Sequence, residues 1–352
     1  MSDLNLHSSY AEQIKDATIL ITGGTGSVGS AVAEALLTLA PKQVVIFSRD
    51  EQKQFDMRNR VSDPRLAFIV GDIRDRQAVD VSMRGVDYVF HAAALKQVPI
   101  GESFPLEFVK TNVLGSNNVI QSAIGHAVKR LVVLSTDKAP APTSAMGMSK
   151  ALMERVAIAS ARNSKTVVCI ARFGNILYTR GSVVPYFIER IKQGQPITIT
   201  DPQMTRFFMT LDQALDLILF ALTSGAAGEI YVRKIPGIAL ADLALAIAEL
   251  FSYKTPAAYI GMRLGERRDE FLISAEELRR AVDHGEYYRI VPESPDEETA
   301  RSSSDVQSQG GDDVGGSGYG SLDARRLSKN EIKELLLSVP EIRSELAAYT
   351  AQ

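Results

Sequence analysis

At 352 residues the chain is long enough to bury more than one apolar core, and a composition of 45% hydrophobic and 23% charged residues is that of a folded globular protein. Its 39 Lys and Arg against 42 Asp and Glu leave a net charge of -3, so no global field draws it to nucleic acid or to an anionic membrane, and any phosphate it binds must be gripped locally. No apolar run is long enough to span a bilayer and no basic-then-apolar leader opens the chain, so we expect a cytoplasmic protein without membrane or nucleic-acid partners.

From Asp16 onward, short apolar runs alternate with helical patterns. Segments 18–21, 44–47, 67–70, 88–90, 131–134 and 167–170 predict six buried strands, each an unbroken apolar run of the kind a parallel sheet covered on both faces requires. Segments 30–38 and 151–160 carry apolar residues at helical spacing. The expected fold is α/β, a Rossmann-like doubly wound parallel sheet. Cys169 falls inside the sixth run and reads as a buried strand residue. His7, His91, His126 and His284 stand far apart without partners at ligand spacing, so no metal site is expected.

Past Asn175 the alternation loosens into Pro185, Pro196 and Pro202, short strands and a helical stretch at 241–251. This suits a smaller C-terminal lobe closing over the end of the sheet. From Pro295 to Ser321 the composition turns to Ser, Asp and Gly, too polar to offset its own ordering entropy, and Ser328 then caps a helix at 330–338. The expected organisation is an N-terminal arm (1–15), a dinucleotide-binding domain (16–175), a substrate-binding lobe partly interleaved with it (176–294), a flexible stretch that is either a substrate latch or a plain linker (295–321), and a helical tail (322–352).

The first strand runs into Gly23, Gly24, Thr25, Gly26, Ser27, Val28 and Gly29, which open a helix. Glycine there lets the backbone approach a pyrophosphate, and the helix start presents free N–H groups and a positive dipole end. At the end of the second strand, Ser48, Arg49 and Lys53 offer a hydroxyl, a planar fork and a point charge to a ribose 2′-phosphate, which favours NADP, while Asp50 keeps NAD as the alternative. Asp72 and Ile73 fall beside the adenine, and Ala92, Ala93 and Ala94 permit close contact with the cofactor.

Ser135, Thr136, Asp137 and Lys138 leave the C-terminal end of a central strand, where open α/β sheets bind ligands, and the helix bearing Met146 and Lys150 begins just after. A surface ion pair is the plain alternative for Asp137 and Lys138.

With the glycine loop, Gly71-Asp72-Ile73-Arg74, the run from His91 to Pro99, Ser135-Thr136-Asp137-Lys138, Lys110-Thr111-Asn112-Val113-Leu114-Gly115, Arg172-Phe173-Gly174-Asn175, Arg180 to Pro185 and Thr200 to Met209, the chain resembles the extended short-chain dehydrogenase/reductases. More narrowly it is similar to the inverting UDP-N-acetylglucosamine 4,6-dehydratases, in a capsule-type branch with methionine (here Met146) in place of the catalytic tyrosine. The resemblance implies a lyase that oxidises C4 of the sugar, removes water across C5 and C6, returns the hydride to C6 and inverts C5. The product is then UDP-2-acetamido-2,6-dideoxy-beta-L-arabino-hexos-4-ulose.

In that scheme Lys138 is the base at C5, expected to be pushed toward its neutral amine by Lys150 and the cationic nicotinamide. Asp137 protonates the C6 hydroxyl, Thr136 binds the C4 oxygen, and Lys150 holds the nicotinamide ribose. Lys96 and Asn112 lie by the cofactor, Asn112 equally suited to helix packing, and Lys96 also reaches the substrate. Arg206 and Arg263 take the diphosphate, with Asn175, Arg180, Val183, Pro185 and Thr198 around the pocket and Glu266 on Arg206 or the uridine ribose. Such enzymes assemble into dimers or hexamers, which implies a homo-oligomer. A UDP-sugar 4-epimerase and a non-catalytic NADP-binding subunit are the competing readings.

Overall fold

The computed structural model describes residues 10–162, 164–293 and 317–351. The predicted flexible stretch lies mostly outside these residues, so the latch reading does too. The six apolar runs form β1 (Thr18–Thr22), β2 (Gln43–Ser48), β3 (Leu66–Val70), β4 (Tyr88–His91), β5 (Arg130–Thr136) and β6 (Val167–Phe173). The observed strands outrun the apolar patterns at their C-terminal ends because burial continues there: Thr22, His91, Ser135 and Arg172 are buried polar residues that a hydrophobic pattern does not include. The chain continues through β7 (Asn175–Ile176), β8 (Thr198–Ile199), β9 (Thr205–Met209), β10 (Ile230–Arg233), β11 (Gly237–Ala239), β12 (Ala258–Tyr259), β13 (Phe271–Ser274), β14 (Ala281–His284), β15 (Tyr287–Ile290) and β16 (Gly318–Gly320).

Nine strands build the main sheet in the order β14-β15-β10-β6-β5-β4-β1-β2-β3. From β10 across to β3 every pairing is parallel, and β15 and β14 close one edge antiparallel. The chain runs outward from β1 to β3 and then returns to place β4 on the other side of β1. Strand order therefore reverses between β1 and β4, which opens a crevice at the carboxyl ends of these strands, as in doubly wound α/β folds.

The helix predicted at 151–160 reaches back to Ala145, because Ser144 caps it by accepting from the Gly147 N–H at 3.1 Å. Met146 and Lys150 thus both sit in its first turns, facing the crevice. One apolar core fills both faces of the main sheet. A second gathers Val184, Phe187, Ile247 and Phe251 with Ile332, Leu336 and Ile342, so the C-terminal helices Lys329–Ser338 and Pro340–Thr350 pack into the lobe instead of trailing from it. No helix among the described residues is long and apolar enough to cross a membrane.

His91 ties this frame together. It is buried at the end of β4, with Nδ1 2.6 Å from Thr22 Oγ1 and Nε2 2.8 Å from Ser116 Oγ, joining the glycine-loop strand to the helix Ser116–Gly125. Burial first, and the charge of Lys150 second, lower its pKa to about 3. Because the folded value lies below the unfolded one, this stability is present above about pH 6.5 and drains away as pH falls toward 3. Between about pH 7 and 4.5 the group should cost on the order of 2–3 kcal/mol. Urea unfolding of His91→Gln should show a protein less stable at pH 7 that loses less on acidification; parallel pH slopes for the two proteins would refute the assignment.

Candidate active site

A cavity of about 1290 Å³ opens at the carboxyl ends of β1, β4, β5 and β6. Its floor is the glycine loop. Gly23 takes φ of +68°, and a Cβ there would stand 2.7 Å from the Ala93 nitrogen; one on Gly29 would lie 2.5 Å from the Gly23 carbonyl oxygen. The loop is therefore folded onto itself and under residues 92 and 93 with no room for side chains. Gly26 caps the helix Ser27–Leu37 without a side-chain bond, and Ser27, Val28 and Gly29 of its first turn line the cavity. This cradle fits a pyrophosphate.

At the far end of the cavity stand Arg49, Lys53 and Arg60, each already facing a carboxylate. Lys53 pairs with Asp50, Arg60 with Glu34 at 2.7 Å, and Arg49 lies 3.5 Å from Asp72. Ser48 accepts from Gln54 at 3.0 Å. Asp72 lines the wall beside Ile73; burial would raise its pKa, but hydrogen bonds from Arg74 outweigh that and hold it below the usual carboxylate range. Ala92, Ala93, Ala94 and Lys96 continue the wall, and Thr25 and Gly26 close the turn beneath.

At the centre, β5 delivers Thr136, Asp137 and Lys138. Lys138 Nζ donates to Asp137 Oδ1 at 2.8 Å, and the Thr136 hydroxyl donates to the same oxygen at 2.9 Å. Lys138 and Thr136 are on the cavity wall with Ser135, Met146 and Lys150. Asp137, only 2% exposed, stands behind Lys138 and off the wall, and its Oδ2 has no hydrogen-bond partner. Burial pulls the Lys138 pKa down, yet Asp137 and then Glu270, 3.6 Å away, outweigh it and leave the value above an ordinary lysine. The expectation of a neutral Lys138 is thereby corrected: two carboxyl groups flank it, and the sequence showed only one. The amine pushed toward neutrality is Lys150, whose pKa burial lowers to about 8; its Nζ donates to the Leu134 carbonyl at 2.5 Å.

Other predicted residues divide by what their side chains touch. Asn175 and Arg180 line the cavity, and Lys96 Nζ bridges across it to the Arg180 carbonyl at 3.2 Å. Asn112 does not reach the cavity. It is fully buried, accepts from Leu95 N–H, and donates to the Leu95 carbonyl and to Ser149 Oγ, so it locks a helix pair together. Arg206 is turned inward as well, donating to the carbonyls of Thr205, Arg267 and Arg268 at 2.6, 2.9 and 3.0 Å. A guanidinium engaged in this way is part of the scaffold and does not face a diphosphate. Glu266 holds the Arg263 backbone N–H at 2.8 Å and leaves Arg206 to Glu270. Thr198 is bonded to the Tyr186 hydroxyl in the lobe, and Val183 and Pro185 lie on the helix Val183–Lys192, off the wall, where Ser182 stands instead. Sequence reasoning passed over Glu270, Gln97 and Thr179. Glu270 could have been noticed as an acid set directly against the apolar run Phe271-Leu272-Ile273, which forces it into the interior.

A family profile described as "Polysaccharide biosynthesis protein" matches residues 19–292. A Rickettsia canadensis protein named UDP-glucose 4-epimerase is 47% identical over 340 residues, 94% of this chain and 98% of the relative. Among solved structures, Pen from Bacillus thuringiensis is 34% identical with a TM-score of 0.83, covering 93% of this chain and 98% of that one. DesIV, a dTDP-glucose 4,6-dehydratase from Streptomyces venezuelae solved with NAD and TYD bound, is 26% identical with a TM-score of 0.66 over 71% of this chain and 86% of its own. The chain belongs to the polysaccharide biosynthesis protein family, with the extended short-chain dehydrogenase/reductase-like fold of the nucleotide-sugar dehydratases and epimerases.

Proposed function

We propose that the chain is a C5-inverting nucleotide-sugar 4,6-dehydratase acting on UDP-N-acetylglucosamine. The observation that carries this reading is Lys138 on the cavity wall, backed by Asp137 at the carboxyl end of β5, with the inert thioether of Met146 lining the same cavity. An epimerase at C4 needs no acid–base pair aimed at C5 and C6, whereas elimination of water does.

A nicotinamide dinucleotide held by the glycine cradle supplies reversible oxidation of the sugar alcohol at C4. We assign it as NADP from the Arg49, Lys53 and Arg60 rim, although Asp50 and Asp72 there would also suit the free ribose hydroxyls of NAD. Lys150, its pKa lowered to about 8 by burial, holds the ribose nearest the reacting ring. Thr136 turns its hydroxyl from Asp137 Oδ1 to donate to the C4 oxygen. Lys138 in its amine form takes the C4 hydroxyl proton and passes it to Asp137; once C4 is a ketone the C5 hydrogen is acidic, and Lys138 takes that next. Asp137 becomes the acid for the departing C6 hydroxyl once Lys138 has relayed the C4 hydroxyl proton to it along the bond that joins them. Lys96 and Arg180 are the wall cations assigned to the diphosphate, and Arg263 lies off the wall on an exposed loop.

The 4-epimerase reading is favoured by the name of the Rickettsia canadensis relative. Incubating the purified protein with UDP-N-acetylglucosamine in deuterated water separates the two. A dehydratase yields a product lighter by one water that carries solvent deuterium at C5; an epimerase yields an isomer of unchanged mass and no deuterium at C5. Mass spectrometry of the dinucleotide released on denaturation should show the 2′-phosphate, and its absence would assign NAD instead.

A further inference from the structure

We propose that Glu270 is a positioning residue for Lys138: the buried carboxylate receives the proton that Lys138 must shed before its amine can act at C5, and gives it back at the end of the cycle. This rests on the dehydratase reading and extends it to a residue from a distant segment of the chain.

The geometry is particular. Glu270 is 4% exposed, just before β13. Its Oε1 lies 3.6 Å from Lys138 Nζ and 3.8 Å from Arg206 Nε, just beyond hydrogen-bond range of both. About 0.6 Å of movement by the lysine closes the first gap. The backbone cannot drift, since Glu270 N–H donates to Ser321 Oγ at 3.0 Å and the Ser321 N–H returns a bond to the Glu270 carbonyl at 2.8 Å. Arg206, locked on three carbonyls, cannot swing over to make a tight pair with the acid.

The charged groups around Lys138 and Glu270 are Asp137 from β5, Arg206 from β9 and Arg267 from the loop before β13. Burial first, and Asp137 as a like charge, raise the Glu270 pKa against the cations Lys138, Arg206 and Arg267. A buried acid with a raised pKa beside an ammonium is suited to exchange a proton with it. In the transfer the Nζ–H bond breaks and an Oε1–H bond forms, leaving a neutral amine and a neutral acid. The amine then takes the C5 hydrogen, whose bonding pair moves into the ketone-conjugated enolate, and releases it to solvent, so that the amine can take back the proton held on Glu270. No oxidant or co-reactant enters these proton transfers.

The test is a pH series on Glu270→Gln, which keeps shape and burial but cannot accept a proton. Water loss at pH 7 should fall roughly tenfold or more, with KM for the nucleotide sugar within about twofold. The deficit should shrink as pH rises, because Lys138, relieved of one of the two carboxylates that raise its pKa, can then shed its proton to solvent. A role in packing alone predicts a loss equal at every pH, and that outcome, or an unchanged rate at pH 7, overturns the proposal. Should Glu270→Gln fail to fold, Glu270→Asp serves: it keeps the acid at a greater reach, so the same pH-dependent deficit is expected, and a wild-type profile overturns it. The wild-type protein is assayed alongside for C5 deuterium. Wild-type exchange with an unaffected variant refutes Glu270 alone, whereas a wild-type protein without C5 exchange refutes both readings.

Discussion

Replacing Lys138 by alanine should reduce water loss by about 10³-fold, the magnitude of a lost general acid–base group, while leaving nicotinamide dinucleotide affinity within about twofold. The two effects separate because Lys138 lies on the wall at the end of β5, whereas the pyrophosphate cradle is built by Gly23, Gly26 and Gly29 at the end of β1. Alanine also leaves Asp137 and Glu270 without their shared cation, so some loss of stability is expected with it. Lys138→Arg resolves that ambiguity. Arginine keeps a positive charge between the two carboxyl groups but does not deprotonate, so it should restore folding without restoring elimination. Turnover by Lys138→Arg above about a tenth of the wild-type rate would exclude Lys138 as the base, since charge alone would then be enough.

The parallel sheet and the strand-end half of this site were legible in the sequence for one physical reason. Strands covered on both faces must be apolar throughout, so β1, β2, β4, β5 and β6 stand out as runs, and the residues that break each run are those that emerge at the ligand-binding edge; β3, expected to be buried, is instead a half-buried edge strand with Val70 exposed. Thr22, Asp72, Ala92 and Thr136 to Lys138 follow from that logic. What could not be read was how side chains from distant segments spend their polar groups. Arg206 and Arg263 look alike as exposed cations in sequence, yet Arg206 lies 8% exposed against backbone carbonyls and Arg263 lies on a surface loop. The apolar run after Glu270 marks it, rather than Glu266, as interior, but that its partner there is Lys138 is visible only once β13 is in place beside β16. The protonation of Lys138 was misjudged for the same reason, because its second carboxyl neighbour comes from beyond residue 200.

Arg172→Met should lower stability by roughly 3–5 kcal/mol, the cost of stranding buried charge. Arg172 is 1% exposed and all five of its N–H groups are used: a fork to Glu154 at 3.0 and 2.6 Å, a fork to Glu277 at 2.9 and 2.9 Å, and a bond to the Leu272 carbonyl at 2.8 Å. Methionine fills much of the volume but leaves two carboxylates buried with no cation, and the urea midpoint at pH 7 should fall accordingly. An unchanged midpoint would show that Glu154 and Glu277 find water or other partners. Burial opposes the charge on Arg172, and Glu154 and Glu277 more than offset it, which holds the guanidinium protonated throughout. Glu154 lies one turn beyond Lys150 on the Met146 helix, and Glu277 caps Ser274 at the end of the strand that Glu270 precedes. The arginine therefore clamps the Lys150 side of the cavity to the Glu270 side. Neutralising both acids along with it, as Arg172→Met with Glu154→Gln and Glu277→Gln, should recover most of the stability, since buried ion networks exchange for neutral groups at little net cost. Turnover should stay depressed, because amides and a thioether pack without fixing the separation between Lys138 and Glu270. Full activity in the triple variant would mean that the clamp serves folding alone.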